Sequence, residues 1–293
     1  MVPRIAFFGG KPLSARCLRV LHNYHVRGAI EIAAVLPRPK GERGWWSGDG
    51  IPEMAETAEA LQLPIIDCPE ALTEIEVDLG LSVLHSSILP PKVFDHPRLG
   101  FLNLHCAPLP EYRGCNVCTF AILNGETRFG VTLHQIDEKP DHGPVLAICR
   151  FDVAETETAR SLMTKTEQAG LQLFEQIVPD ILEAAAERNQ GAFTGKPLHS
   201  FPATSVSSWK YYPRDAIRTD GFKEINLSWS AVRIDRTVRA LDFPPFEPAY
   251  LIINERKIYM TTGTNDGLQQ DHDMQPLDMD VENYLEIKIG GAS

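Results

Sequence analysis

The sequence predicts an α/β fold, a doubly wound sheet followed by a smaller C-terminal α+β region that ends in a β-hairpin. The chain opens as a short apolar strand at residues 4–8, a Gly9-Gly10 turn and a helical stretch at 13–24, which is the first unit of a doubly wound sheet. Strand-length apolar runs then alternate with helix-length segments as far as residue 187. After Gly191 the composition turns to Gly, Pro, Ser and Thr until about Ser208, as in a connection between domains, and a helix and a hairpin follow it.

Taken in order, residues 30–36 read as the second strand, 51–61 as a helix, 64–67 as a third strand and 79–84 as a fourth. The loop at 37–50, PRPKGERGWWSGDG, has two readings. It is a surface loop, or a lid that lays Trp45 and Trp46 over a ligand and offers its cations to phosphate. The segment His85-Ser86-Ser87-Ile88-Leu89-Pro90 lies where the fourth strand ends, and ligands of open α/β sheets bind outside such ends.

The next apolar run closes with Asn103-Leu104-His105. Side chains alternate along a strand, so Asn103 and His105 share one face and Leu104 takes the other. Pro108 and Pro110 end the strand and leave its polar tip at an exposed edge. Residues 115–124 form a helix, and strands at 130–136 and 144–151 flank an acidic turn running from Asp137 to Gly143. That turn brings a carboxylate back toward the histidine. An amide, an imidazole and a carboxylate converging at strand ends suit acyl transfer.

Residues 159–187 form a long helix with Leu162, Leu173, Ile177 and Ile181 at core spacing and Pro179 as the expected kink. Residues 231–241 are a helix of interleaved Arg and Asp, and 249–253 with 257–260 make a hairpin around Asn254-Glu255-Arg256. The alternating run at 284–289 reads as an added strand without a functional role.

Composition limits the functional classes. A chain of 293 residues with 43% hydrophobic and 23% charged residues holds a sizeable core. A net charge of −11 and a pI near 5.3 argue against a broad RNA-binding surface and leave room for a local basic pocket. The absence of a membrane-length apolar run argues against a membrane role, and six cysteines in a chain of this length fit a reducing cytoplasm. Cys115 and Cys118 form a lone C-x-x-C, read either as a redox pair or as two small apolar residues; no second ligand pair supports zinc, so no metal is expected. No G-x-G-x-x-G is present, which weighs against an NAD-dependent sugar-modifying enzyme.

Three separated elements in order, Asn103-x-His105 with Pro-Leu-Pro-x-Tyr-Arg-Gly at 108–114, then Gly-Val-Thr at 130–132, then Asp-Glu-x-x-Asp-x-Gly at 137–143, resemble the folate-dependent formyltransferases. That family includes methionyl-tRNA, glycinamide ribonucleotide and nucleotide-sugar N-formyltransferases. HCAPLPEYRG is most similar to the nucleotide-sugar branch. So, separately, are Tyr-Tyr-Pro-Arg at 211–214, Ser-Trp-Ser-Ala at 228–231 and Phe-Pro-Pro-Phe at 243–246. The resemblance implies a Rossmann-like formyltransferase domain over 1–200 and a sugar-nucleotide and dimerisation subdomain over 201–262. It does not reach the extension at 263–293.

The implied reaction moves a formyl group from 10-formyltetrahydrofolate to the amine of a dTDP-linked amino-dideoxy sugar. The 4-amino-4,6-dideoxyglucose is placed ahead of its 3-amino isomer, and the products feed surface polysaccharides. His105 takes the amine proton. Asn103 donates to the oxyanion, worth roughly 3 to 4 kcal/mol in comparable sites. Asp141 orients His105 and raises its basicity. Residues His85, Ser86, Ser87, Ile88 and Leu89 border the pterin. Asp137 is assigned to the same pocket, although it and Glu138 come earlier in the turn and have a structural reading as well. Tyr211, Tyr212, Arg214 and Phe243 are candidates for the nucleotide, or else they pack the small domain or a homodimer interface. Arg113 contacts ligand or braces its turn. Other readings are formylation of methionyl-tRNA or hydroxyornithine, and a non-catalytic nucleotide- or folate-binding module.

Overall fold

A computed structural model describes residues 2–39, 44, 53–187 and 210–263. In chain order the elements are β1 (Arg4–Gly9), α1 (Pro12–Val26), β2 (Glu31–Leu36), α2 (Met54–Ala60), β3 (Leu79–Val83), α3 (Pro91–Phe94), β4 (Phe101–His105), β5 (Tyr112–Gly114), α4 (Val117–Asn124), β6 (Arg128–Gln135), β7 (Val145–Asp152), α5 (Ala159–Glu187), β8 (Lys210–Tyr212), α6 (Ala231–Leu241), β9 (Ala249–Ile253) and β10 (Arg256–Met260). Six of the strands form one sheet in the order β2-β1-β3-β4-β6-β7. β1 runs parallel to β2 and β3, β3 is parallel to β4, and β6 turns antiparallel against β4. This is the doubly wound arrangement that the N-terminal pattern predicts.

Strands buried on both faces read as near-continuous apolar runs, as β1 does, and β3 is buried at every position with only Ser82 polar. On one face Ile5, Phe7, Leu81, Leu102, Leu104, Val131 and Leu133 meet Leu18 and Leu21 of α1 and Phe174, Ile177 and Ile181 of α5. On the other, Ala6, Phe8 and Phe101 meet Leu72, Val93 and Phe94. A Cβ on Gly80 would fall 2.3 Å from the Phe101 ring, so the glycine makes room for that phenyl group. The Gly9-Gly10 turn has a packing cause too. Ser14 Oγ accepts the Gly10 and Lys11 N–H groups and donates to the Val83 carbonyl, tying the start of α1 to β3.

The third strand expected at 64–67 is reduced to a single bridge from Val35 to Ile65. Pro64 brings no N–H, and Pro69 begins a 3₁₀ turn (Pro69–Glu74), so the run ends before a ladder forms. The short β5 and β8 pair with each other, which the sequence did not indicate. Pro179 lies within α5 without ending it.

Two compact units result, each discontinuous in sequence. The first takes the described residues of Met1–Gly114, Gly130–Phe151 and Lys165–Tyr211; the second takes those of Cys115–Phe129, Asp152–Thr164 and Tyr212–Ser293. In the second, α6, β9 and β10 close over Ile225, Val238, Leu241, Ala249, Leu251 and Met260. Ser230 caps α6 by accepting the Arg233 N–H. Asn254 and Glu255 both take positive φ, 49° and 69°, as a two-residue hairpin turn requires. The Trp45-Trp46 loop, the connection around 191–208 and the run at 284–289 lie outside the described residues. Among those described, no helix is long and apolar enough to cross a membrane.

Candidate active site

In the β4–β6 register Asn103 stands opposite His134, and His105 opposite Thr132. Directly opposed residues of an antiparallel pair project from the same face, as do residues two apart on one strand. Four polar side chains therefore gather on one face while Leu102, Leu104, Val131 and Leu133 enter the core on the other.

Thr132 is fully buried. Its Oγ1 donates to the Ala107 carbonyl at 2.8 Å and accepts the Leu109 N–H at 3.0 Å, which fixes the chain as it leaves β4. The proline-rich turn then folds back, with the Tyr112 N–H on the Pro108 carbonyl. Its return sets the Tyr112 carbonyl 2.8 Å from His105 Nε2. A carbonyl only accepts, so Nε2 carries the hydrogen and the basic lone pair sits on Nδ1. That nitrogen faces Asp141 Oδ1 at 3.5 Å.

Asp141 holds a left-handed φ of 52° in the turn between β6 and β7. Its Oδ2 accepts the Gly114 N–H at 2.8 Å, so the Pro-Leu-Pro-x-Tyr-Arg-Gly run orients the histidine through one peptide and the carboxylate through another. Gly143 closes the turn by close approach, since a Cβ there would lie 2.0 Å from the Gln135 carbonyl. Asp137 Oδ1 accepts the Lys139 N–H, and its Oδ2 lies 2.7 Å from His142 Nδ1. Both contacts are within the turn itself.

His134, 2% exposed, is the site residue that sequence reasoning missed. Its Nδ1 lies 2.8 Å from the Gln135 carbonyl, so Nδ1 bears the hydrogen there. Its Nε2 lies 3.0 Å from Asn103 Nδ2 and 3.7 Å from Asp141 Oδ1. The signal was present in Val131-Thr132-Leu133-His134, a strict polar alternation. Its partner strand was not legible.

Burial pulls His105 below the usual histidine range; the Asp141 charge opposes this, and His134 adds to it. His105 is thus neutral and ready to accept a proton near pH 7. Burial alone would raise the Asp141 carboxyl. The charge that His105 gains on protonation, together with His134 and the Gly114 N–H, outweighs this and holds Asp141 well below the usual carboxylate range.

The remaining predicted residues fall in several places. β3 and β4 end at the same sheet edge, so the 85–90 segment borders the Asn103–His105 tip. His85 Nε2 is 2.7 Å from Ser87 Oγ, and burial pulls the His85 ring down to about 4. Ser86, Ser87 and Ile88 are exposed, while Leu89 packs into the core beside Phe94 and Phe101. Arg113 is half-buried between Tyr112 and Gly114. Tyr211 is exposed. Tyr212 is buried, with its ring stacked on Phe120 at 4.1 Å and its hydroxyl accepting from Asn124 Nδ2, so packing engages one face of that ring. Arg214 is exposed and its carbonyl accepts from Asn116 Nδ2. Phe243 is half-buried beside Phe246, with the Arg160 guanidinium 5.9 Å from its ring. Cys115 and Cys118 are free thiols, Cys118 buried in α4. Among the described residues no cluster of three or more His, Cys, Asp or Glu is placed to hold a metal ion.

Comparison with known proteins gives consistent matches. Residues 4–178 match the formyl transferase family model. The chain is 32% identical over 179 residues to a methionyl-tRNA formyltransferase of Elusimicrobium minutum, covering 59% of this chain and 52% of that protein. It is 33% identical over 183 residues to a GDP-perosamine N-formyltransferase of Brucella melitensis, covering 62% of this chain and 64% of that protein. The alignments thus span between half and two thirds of the length of these curated relatives. Among solved structures, the N-formyltransferase of Helicobacter canadensis in complex with folinic acid and dTDP-3-aminofucose superposes with a TM-score of 0.66 at 21% identity, over 88% of this chain and 86% of that one. The family model covers more than half of the chain and includes every residue of the Asn103, His105, His134 and Asp141 cluster, and the chain belongs to the formyl transferase family.

Proposed function

We propose that this protein transfers the formyl group of 10-formyltetrahydrofolate to the amine of a dTDP-linked amino-dideoxy sugar, with dTDP-4-amino-4,6-dideoxyglucose the first substrate to test and surface polysaccharide as the destination. One observation carries the reading. His105 Nδ1 stands 3.5 Å from Asp141 Oδ1, and Asn103 presents its amide beside them with its nitrogen on His134 Nε2. A carboxylate-backed base next to an amide donor suits a reaction that releases a proton from nitrogen while negative charge grows on oxygen.

Bound folate would supply the activated formyl group. The exposed residues Ser86, Ser87 and Ile88 follow β3 at the same sheet edge as the Asn103–His105 strand end, which leaves room for its ring there, so the residues present fit it. His105 Nδ1 takes the proton that the attacking amine sheds. Asp141, ionised, stabilises the imidazolium so formed. The Asn103 amide hydrogen meets the charge on the formyl oxygen. Tyr211, Arg214 and Phe243 remain assigned to the nucleotide, and a cytoplasmic homodimer is the assembly that accompanies this reading.

The Brucella relative, named for a GDP-linked sugar, and the Helicobacter structure, holding a dTDP-linked one, support an amino-sugar nucleotide. The second reading, methionyl-tRNA, has the Elusimicrobium relative in its favour and the net charge of −11 against it. Calorimetric titration with dTDP, UDP and GDP separates them. Preference for dTDP supports the proposal, preference for GDP moves it to a GDP-sugar, and no binding of any nucleotide removes the sugar assignment.

A further inference from the structure

We infer that His134 is a positioning residue for formyl transfer, fixing the Asn103 side chain so that its nitrogen end, not its oxygen, is offered to the reacting carbonyl. The inference rests on the functional reading above. It concerns a question that reading leaves open, because the two ends of a carboxamide have opposite chemistry. The NH2 end stabilises an oxyanion and the oxygen end repels it, and the two differ by a rotation about one bond. A catalytic asparagine needs something that decides between them.

His134 supplies that decision through its tautomer. The Gln135 carbonyl, 2.8 Å from Nδ1, accepts and cannot donate, so the ring hydrogen stays on Nδ1 and Nε2 presents a lone pair. Asn103 Nδ2 lies 3.0 Å from that lone pair and gives it one hydrogen. The second hydrogen of the same NH2 group is left for the substrate. A rotated Asn103 would set its oxygen against the lone pair, at a ring only 2% exposed, where no solvent relieves the repulsion. The ionised Asp141 Oδ1 would favour a hydrogen on Nε2, but at 3.7 Å it lies beyond hydrogen-bond reach, whereas the Gln135 carbonyl holds Nδ1 at 2.8 Å. The selector is itself held in place. Gly143 packs so closely on the Gln135 carbonyl that the turn carrying Asp141 also fixes the group that sets the His134 tautomer.

Two substitutions separate the functions of the two ring nitrogens. His134→Gln keeps an acceptor oxygen near the Nε2 position. His134→Asn keeps only a donor near Nδ1. With a substrate that the wild type formylates, His134→Gln is expected to retain kcat within about fivefold. His134→Asn is expected to lose about 100-fold in kcat, the scale of one oxyanion donor, with KM changed less than about threefold. In an Asn103→Ala background the His134→Asn change is expected to cost nothing further, because its target is gone. Losses that multiply in the double variant, or a Gln variant as poor as the Asn variant, overturn the inference.

Long-range 1H–15N spectra of the histidine-labelled, unmutated protein test it without any substrate. The expected pattern for His134 is a protonated Nδ1 and an unprotonated Nε2. An Nε2–H tautomer overturns the inference even if the variants fail to fold or no amine is ever formylated, whereas a wild type that formylates nothing defeats the function and leaves the tautomer result to stand.

Discussion

Replacing Asp141 by Asn changes charge with almost no change in shape, and the consequences follow from the distances in the structure. Oδ2 accepts the Gly114 N–H, which an amide oxygen also accepts, so the turn survives. Oδ1 faces His105 Nδ1 at 3.5 Å, and the new NH2 would donate to the lone pair that the proposed mechanism reserves for the amine proton. At that separation, with an effective dielectric near 20, the charge contributes at most roughly 4 to 5 kcal/mol to the protonated imidazole. Removing it lowers the His105 proton affinity beyond what burial already does, since Asp141 opposes the burial effect. The expected result is a kcat/KM plateau lowered about 10²- to 10³-fold, most of a general base's contribution. The acid limb should move down by at least about one pH unit. NMR titration of the His105 ring reads the same shift with no substrate present. An acid limb or ring titration that stays in place, or moves up, would refute the assignment of Asp141 to His105.

Two other predictions concern stability. Thr132→Val keeps the shape and strips the buried Ala107 carbonyl and Leu109 N–H of their partner. Urea unfolding is expected to register a loss of about 2 to 4 kcal/mol, and a loss under about 0.5 kcal/mol would mean that the clamp is unimportant. For acid sensitivity, the folded state holds His85 near 4 and His105 below its usual value, so between pH 6.5 and 4 the unfolded chain binds more protons. Stability therefore rises with pH across that window and falls as pH drops through it, by roughly 2 to 3 kcal/mol from His85 alone. His85→Gln should flatten the fall measured by denaturant titration; an unchanged slope would remove His85 as its cause.

Much of this was legible in the sequence because local chemistry fixes it. β1, the Gly9-Gly10 turn and α1 follow from pattern and glycine placement, and Asn103 and His105 share a face by alternation alone. The hairpin around Asn254-Glu255-Arg256 was visible for the same reason, although Arg256 already belongs to its second strand. What escaped notice depends on pairing across long separations. His134 becomes a site residue only through the register that sets it against Asn103, 31 positions earlier, and no local rule yields that number. The role of the Pro-Leu-Pro-x-Tyr-Arg-Gly run was likewise hidden, because it acts through the Tyr112 carbonyl and the Gly114 N–H rather than through any side chain. The bridge at Ile65 failed as a strand for the opposite reason: its local pattern was adequate, but the prolines on either side left it no length.

The antiparallel register of β4 and β6 also determines which changes of chain length this site can survive. A slide of β6 by one residue would present Leu133 and Val131 to Asn103 and His105 and drive His134 and Thr132 into the apolar layer, so no nearly correct pairing exists. Extra residues in the loops before β6 leave the pairing untouched. A single residue gained or lost inside Arg128–Gln135 would turn the site inside out. Activity in this chain is therefore expected to be all-or-none with respect to insertions and deletions in β6, and graded with respect to substitutions there.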